Sequence, residues 1–319
     1  MSKPKLGLAL GSGGARGWCH IGVLRALQEM GITPDVIAGS SMGALVGAAY
    51  AGGCLDALED WARTQTRRSI LGLMDVRLTG GGILGATGVV AMLNTVGLTG
   101  SLQDLPIPFT AVAADVQTGH EIWLRQGPAA LAVRASVAMP GLISPQRIDG
   151  RWLMDGGVVN PVPVSAARAL GADVVIAVNP NAAMSGAFWT PIEAESGLPG
   201  LSGLSDLVPA LPKSIPDALR NLWSGGENGD RGANGNGAAN GSAADPTAPA
   251  YVALVNAAID IMSDQIRRSR LAGDAPHVLL AARLGDISVL EFHRAAEAIE
   301  EGRRITLAQE DWIRTCIGG

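Results

Sequence analysis

Short, wholly apolar runs alternate with Gly-rich turns and helix-period segments through the first half of the chain. Lys5 to Leu10 reads as a buried strand that ends in the turn Gly11-Ser12-Gly13-Gly14-Ala15-Arg16-Gly17. Ile21, Leu24 and Leu27 then recur at helical spacing, and Gly31 supplies a stop. Pro34-Asp35 leads into a second apolar strand, Val36 to Ser40, followed at once by a small-residue helix from Met42 to about Ala51. Strand, helix, strand and helix within ~45 residues predict an α/β fold on a parallel sheet.

Further elements follow the same rules. Phe109 to Asp115 reads as a strand, and Thr118-Gly119 turns it into a second one, His120 to Arg125. Ala129 to Ala138 has helical character and stops at Pro140-Gly141. Asp149-Gly150 is a hairpin signal between Gln146-Arg147-Ile148 and Arg151 to Met154. A helix over Pro163 to Leu170 and an apolar strand over Asp173 to Asn179 close this region.

From Pro180 the pattern changes. Leu198, Leu201, Leu204, Leu207 and Leu211 recur among Pro, Gly and Ser, and Ile215, Leu219, Leu222 and Trp223 mark a short amphipathic helix. Between Ser224 and Ala250, 18 of 27 residues are Gly, Ala or Asn, too little apolar surface to offset ordering entropy, which predicts a mobile loop. Val252, Val255, Ile259, Met262 and Ile266 then share one face of a long helix, and His277 to Leu284 reads as a last strand. Two C-terminal helices carry the capping-box patterns Ser288-x-x-Glu291 and Thr306-x-x-Gln309. The expected organisation is a core over 5–180, an insertion over 181–250 and a segment over 251–319 completing the same domain. The apolar part of the insertion either covers the site as a lid or packs as a satellite cluster.

Composition narrows the function. The 319 residues are 47% hydrophobic and only 17% charged, so a large core is expected. A net charge of −5 and a pI of about 5.4 speak against a nucleic-acid partner. Cys19, Cys54 and Cys316 have neither metal spacing nor the even number of a disulfide framework, so no metal is expected and a reducing compartment is. No signal-peptide pattern opens the chain. The uncharged stretch Leu78 to Gln103 is broken by seven glycines and several polar residues, leaving no run long enough to span a bilayer. The expected location is cytoplasmic, with room for transient contact at a membrane surface.

Three local motifs carry candidate chemistry. Gly39-Ser40-Ser41-Met42-Gly43 is a G-x-S-x-G between a strand and a helix, the setting of a nucleophile elbow. Its ordinary alternative is a strand-helix turn that happens to contain serine. The turn from Gly11 fails as a dinucleotide fingerprint, because Arg16 stands where the third glycine belongs, and no P-loop lysine lies nearby. Such a turn either serves no ligand or presents a nest of N–H groups to a developing oxyanion. Asp155-Gly156-Gly157 offers a carboxylate that takes the Ser41 proton if held within reach; otherwise it is an Asp in a turn.

Together these motifs resemble the patatin-like phospholipase family. Gly13-Gly14-Ala15-Arg16-Gly17 is similar to its oxyanion motif, Gly39 to Gly43 to its nucleophile motif, and Asp155-Gly156-Gly157 to its D-G-[AG] motif. Thr118-Gly119 after Asp115 and Ala135-Ser136-x-Ala138-x-Pro140-Gly141 fit as well. The resemblance covers about Lys5 to Asn179 and resumes from Tyr251 to Gly302. It implies a three-layer α/β/α sandwich with a mainly parallel central sheet, no cofactor, and a lipid or acyl-ester substrate. It also implies that Ser41 attacks the ester, Asp155 takes the proton and later activates water, and the N–H groups of Gly13, Gly14 and Met42 hold the oxyanion. Gly11, Arg16, Gly17, Gly39, Gly43, Gly156 and Gly157 then support the loops.

Two rivals within enzymes remain at this level. Ser41, Asp155 and His277 stand in the chain order of a Ser-Asp-His α/β-hydrolase. An acyltransferase on the same architecture shares the acyl-enzyme and differs only in the acceptor. His20, His120 and His293 read as packed or solvent-facing, and Arg63, Arg67 and Arg68 as a solvated helix end.

Overall fold

The computed structural model describes residues 3–66, 82–84, 87–182 and 251–318. The leucine stripe from Leu198, the Ile215–Trp223 segment, the low-complexity stretch, Arg67 and Arg68 lie outside them. In chain order the strands are β1 (Leu6–Leu10), β2 (Val36–Ser40), β3 (Gly82–Leu84), β4 (Phe109–Asp115), β5 (Glu121–Leu124), β6 (Gly141–Ile143), β7 (Gln146–Ile148), β8 (Arg151–Asp155), β9 (Val174–Asn179) and β10 (Val278–Ala281). The helices are α1 (Cys19–Glu29), α2 (Met42–Ala51), α3 (Leu55–Arg63), α4 (Thr87–Thr95), α5 (Ala129–Ser136), α6 (Val164–Ala169), α7 (Tyr251–Gly273), α8 (Ala295–Leu307) and α9 (Glu310–Cys316). Two compact units arise, one of Met1–Ser185 with Met262–Gly319 and one of Gly186–Ile261. Of the second, only the opening turns of α7 are described.

The main sheet runs β10-β9-β1-β2-β4-β8-β7, with β5 added to β4. Its first five strands are mutually parallel. β1, β2, β4 and β9 are buried along their whole length, as parallel strands covered on both faces must be. The two-residue period sorts their side chains. Leu8, Leu10, Ile37, Phe109, Ile176 and Val178 join the core under α1 and α2. Ala9, Ala38, Val112, Val175 and Ala177 face the other way, onto Val164, Ala166 and Ala167 of α6. The result is the expected three-layer α/β/α sandwich.

β4 organises the end of the sheet where β2 stops. β2 pairs with it in parallel as far as Ser40 opposite Val112, and β8 pairs antiparallel starting with Asp155 opposite Ala113. The carbonyl of Pro108 accepts from Ile37 in β2, and the N–H of Val116 donates to Trp152 in β8. These two positions directly flank β4 and are an even number of residues apart, so both point to one edge. β2 and β8 therefore share that edge and meet tail to tail, while β5 takes the other.

α1 and α8 cross at glycines. A Cβ on Gly22 would overlap the carbonyl of Ile299, and one on Gly302 would overlap the carbonyl of Cys19. Gly302→Ala gains about 1 kcal/mol of helix propensity. It also forces backbone against backbone, an overpacking cost of about 1–3 kcal/mol or more. The clash wins, and thermal unfolding is expected several degrees below wild type.

Some expectations need correction. The helix from Ala129 ends at Ser136, two residues early, because Ala138 turns its carbonyl to the N–H of Asp155. The strand from His277 is shorter, spanning Val278–Ala281. Ser288 and Glu291 do close, with the Glu291 carboxylate accepting from the Ser288 N–H, but α8 starts only at Ala295. Thr306 does not cap α9: it lies inside α8, and its hydroxyl donates to the Gly302 carbonyl. The pairing of β3 with β6 was not foreseen, because Gly-rich, uncharged sequence gives no alternation to read. No helix among the described residues is long and apolar enough to cross a membrane.

Candidate active site

Ser41 stands between β2 and α2 with φ 55° and ψ −123°. Among the described residues it shares a positive φ outside glycine only with Asp149 of the β7–β8 hairpin. Such a conformation costs a side-chain-bearing residue about 1–3 kcal/mol, so its surroundings must impose it. The Ser41 carbonyl accepts from Ala44 and Leu45 at the start of α2, and its N–H donates to Ser136 Oγ at 2.9 Å. Serine at a helix N-cap ordinarily caps with its hydroxyl. Here the side chain makes no capping bond, and Ser41 Oγ donates to Asp155 Oδ2 at 2.6 Å.

Asp155 arrives by the tail-to-tail meeting of β2 and β8. Its other oxygen, Oδ1, accepts from the Gly157 N–H at 2.7 Å, which opens the short turn Gly156–Val158. Both Ser41 and Asp155 are almost wholly buried, at 4% and 5% exposure. Burial raises the Asp155 carboxyl to about 6, outweighing the hydrogen bonds from Ser41 and Gly157, which act to lower it. A stronger base than ordinary aspartate thus meets a serine hydroxyl at hydrogen-bond distance.

The Gly-rich turn runs directly against this pair. Gly11 donates to Val178, Ser12 to Pro161, Ala15 to Val289 and Arg16 to Gly13. Among the described residues, the N–H groups of Gly13, Gly14 and Met42 have no protein acceptor. Gly14 has φ 54°, and a Cβ there would also meet the Val289 carbonyl. A Cβ on Gly17 would overlap that of Met42, so the turn and the elbow touch. Gly43 lets α2 start against the Leu10 carbonyl, and Gly39 lies beneath that same helix start. Gly156 lies over the Val112 carbonyl and Gly157 beside Ser12. Among the described residues, three N–H donors without acceptors thus lie on the turn and on the first residue of α2, two segments in contact, the second directly after Ser41.

Arg16 is buried and bridges loops: Nε donates to the Ile287 carbonyl at 2.6 Å and Nη1 to Asn181 Oδ1 at 3.0 Å. Asn181 in turn donates to the Ser12 carbonyl at 3.0 Å. His20 supports the turn from below, with Nε2 against the Gly11 carbonyl at 2.7 Å. Burial lowers its pKa to about 4, so it is neutral and Nε2 carries the proton. Asp115 accepts from the Gln117 and Thr118 N–H groups, which makes the Thr118-Gly119 segment a turn remote from the hydroxyl.

His277 is not brought to the site. Its N–H donates to the Val175 carbonyl, and its Nδ1 accepts from the Val175 N–H at 3.0 Å. That level of the sheet is five residues and three strands from Ser41, on the order of 20 Å at ordinary strand spacings. Among the described residues, no histidine hydrogen-bonds Ser41 or Asp155. The Ser-Asp-His arrangement is therefore not formed. Ser136 was not singled out as a site residue. Its place in the motif Ala135-Ser136-x-Ala138 was the one available signal.

A serine at a strained strand–helix turn beside a glycine-rich turn on an α/β/α sandwich is an arrangement found in a class of acyl hydrolases. The family model of patatin-like phospholipases matches residues 8–168. An uncharacterized NTE family protein of Mycobacterium tuberculosis is 37% identical over 95% of this chain and 91% of its own length. Patatin-like phospholipase domain-containing protein 7 of Rattus norvegicus is 33% identical, over 54% of this chain and 13% of its own. VipD from Legionella pneumophila aligns at a TM-score of 0.45 and 14% identity, covering 97% of this chain and 67% of VipD. That last likeness is too remote to bear on the site. The chain belongs to the patatin-like phospholipase family. Membership implies a hydrolase of lipid acyl esters.

Proposed function

We propose that the chain cleaves fatty-acyl esters of phospholipids, lysophospholipids or related lipids through a Ser41–Asp155 dyad and an acyl-enzyme. The carrying observation is the 2.6 Å hydrogen bond from Ser41 Oγ to a buried carboxylate whose pKa stands near 6. In acylation, Ser41 Oγ attacks the ester carbonyl carbon as Asp155 Oδ2 accepts its proton. The oxyanion is held by the N–H groups of Gly13, Gly14 and Met42, which have no acceptor among the described residues. Collapse expels the alcohol, which takes the proton from Asp155. Water then attacks the acyl group, passing its proton to Asp155, and Ser41 recovers it as the acid leaves.

Fluorophosphonate labelling of the wild-type chain, with release of fatty acid from lysophospholipid and medium-chain esters, tests this reading. Labelling mapped to Ser41 together with ester turnover is expected. Absence of both would overturn it. His277→Ala should keep kcat/KM within about twofold of wild type, since its ring serves the far edge of the sheet. A loss as large as that of Ser41→Ala would restore the triad.

A further inference from the structure

We infer that Ser136 is a positioning residue for the nucleophile, and that the segment Ser136 to Ala138 fixes the spacing of the dyad. The inference rests on Ser41 as nucleophile and Asp155 as base. It begins at the break between β2 and β8. Val112 of β4 faces this break, and its carbonyl accepts from Ser136 Oγ at 2.5 Å. A serine hydroxyl has one proton, so with that proton committed to Val112 it meets Ser41 only as an acceptor. The Ser41 N–H donates to it at 2.9 Å. One hydroxyl thus bridges the gap in the sheet and fixes the direction of the strained peptide.

The same segment reaches the base. Two residues on, the Ala138 carbonyl accepts from the Asp155 N–H at 2.9 Å. Nucleophile and base are therefore each tied through their backbone N–H to one short stretch at the end of α5. Ser136 is fully buried, so it does not touch substrate and acts only through Ser41.

The competing conformation is identifiable. A serine before a helix ordinarily turns its hydroxyl onto the first-turn N–H groups as an N-cap. Without the Ser136 hydroxyl, the buried Ser41 N–H and Val112 carbonyl lose their partners, and nothing on that side opposes relaxation toward an ordinary cap. Relaxation swings Ser41 Oγ away from Asp155. A displacement of about 1 Å at reacting atoms costs about 100-fold in rate.

The test compares Ser136→Ala and Ser136→Cys with Thr306→Val, which removes another fully buried hydroxyl bond far from the dyad, the one to the Gly302 carbonyl. Steady-state kcat and KM, the rate of fluorophosphonate labelling and thermal unfolding are measured for each. Ser136→Ala is expected to lose about 10- to 100-fold in kcat and in labelling rate, with KM within about twofold. Ser136→Cys, which keeps a weak donor and acceptor, should fall between and carries the comparison if the alanine variant does not fold. Thr306→Val should unfold earlier yet keep wild-type kcat. A folded Ser136→Ala variant with kcat within twofold of wild type overturns the inference, as does Ser136→Cys at full wild-type kcat where the alanine variant does not fold. So does a loss appearing in KM alone, or an equal kcat loss in Thr306→Val. Failure of the hydrolase reading shows separately, as a wild-type chain whose Ser41 takes no label.

Discussion

Ser41→Ala is expected to abolish fluorophosphonate labelling and to reduce ester hydrolysis by about 10⁴-fold or more, a loss typical of removing an acyl-enzyme nucleophile. The size follows from the lack of a substitute. Ser40 is adjacent but fully buried, its hydroxyl beside Gly156 and not bonded to Asp155, and Ser136 is buried with its proton committed to Val112. The fold should survive, because the hydroxyl makes one hydrogen bond while the elbow is held through backbone groups. Circular dichroism and unfolding close to wild type, beside lost turnover, are the expected pair of results. Retained turnover would move the chemistry elsewhere.

Asp155→Asn is expected to lose about 10³-fold or more in kcat/KM while unfolding at higher temperature than wild type at about pH 8. Catalysis fails because an amide cannot take the proton. Stability rises because burial works against the charged carboxylate, whose pKa is raised to about 6. The raised value means that the stabilising contribution is complete below the unfolded-state pKa and is lost as pH climbs through about 6. Above that, the ionised group costs on the order of 3 kcal/mol relative to a chain with an ordinary aspartate. Asparagine removes this cost, so the two chains should diverge as pH rises and converge toward pH 4. The same proton governs rate. In wild type, kcat/KM should fall as pH drops through about 6 and level off above it. A flat profile, or a variant keeping a tenth of wild-type rate, would remove Asp155 from the role of base.

Much of this was legible in the residues. The apolar runs at Leu6–Leu10, Val36–Ser40, Phe109–Asp115 and Val174–Asn179 became central strands because parallel strands buried on both faces need unbroken apolar sequence. The Asp149-Gly150 hairpin formed with both residues at positive φ, as the strand twist favours. Ser41 and Asp155 stood out because the glycine-rich turn, the G-x-S-x-G and the D-G-G together resemble one family's motifs, while each alone reads equally as an ordinary turn. What sequence could not carry was relation across strands. Nothing local tells that β8 would dock on the edge of β4 vacated by β2, so the bridging of Ser136 had no signature beyond a small polar residue. The Thr306 pattern misled for a similar reason. A capping box requires the chain to leave one helix and begin another, and α8 simply continued through that threonine.

The tail-to-tail meeting of β2 and β8 has a consequence for how such a hydrolase can diversify. Ser40 and Asp155 answer to Val112 and Ala113, adjacent residues of a third strand. The strand ends that carry the proposed nucleophile and base are thus registered on adjacent residues of β4, which serves as a short ruler between them. Excursions of the chain between Ser41 and Asp155 can be lengthened, shortened or reshaped around a new acyl chain or headgroup while that ruler stays the same. Inheritance can then act on substrate choice and on bond cleavage as separate traits.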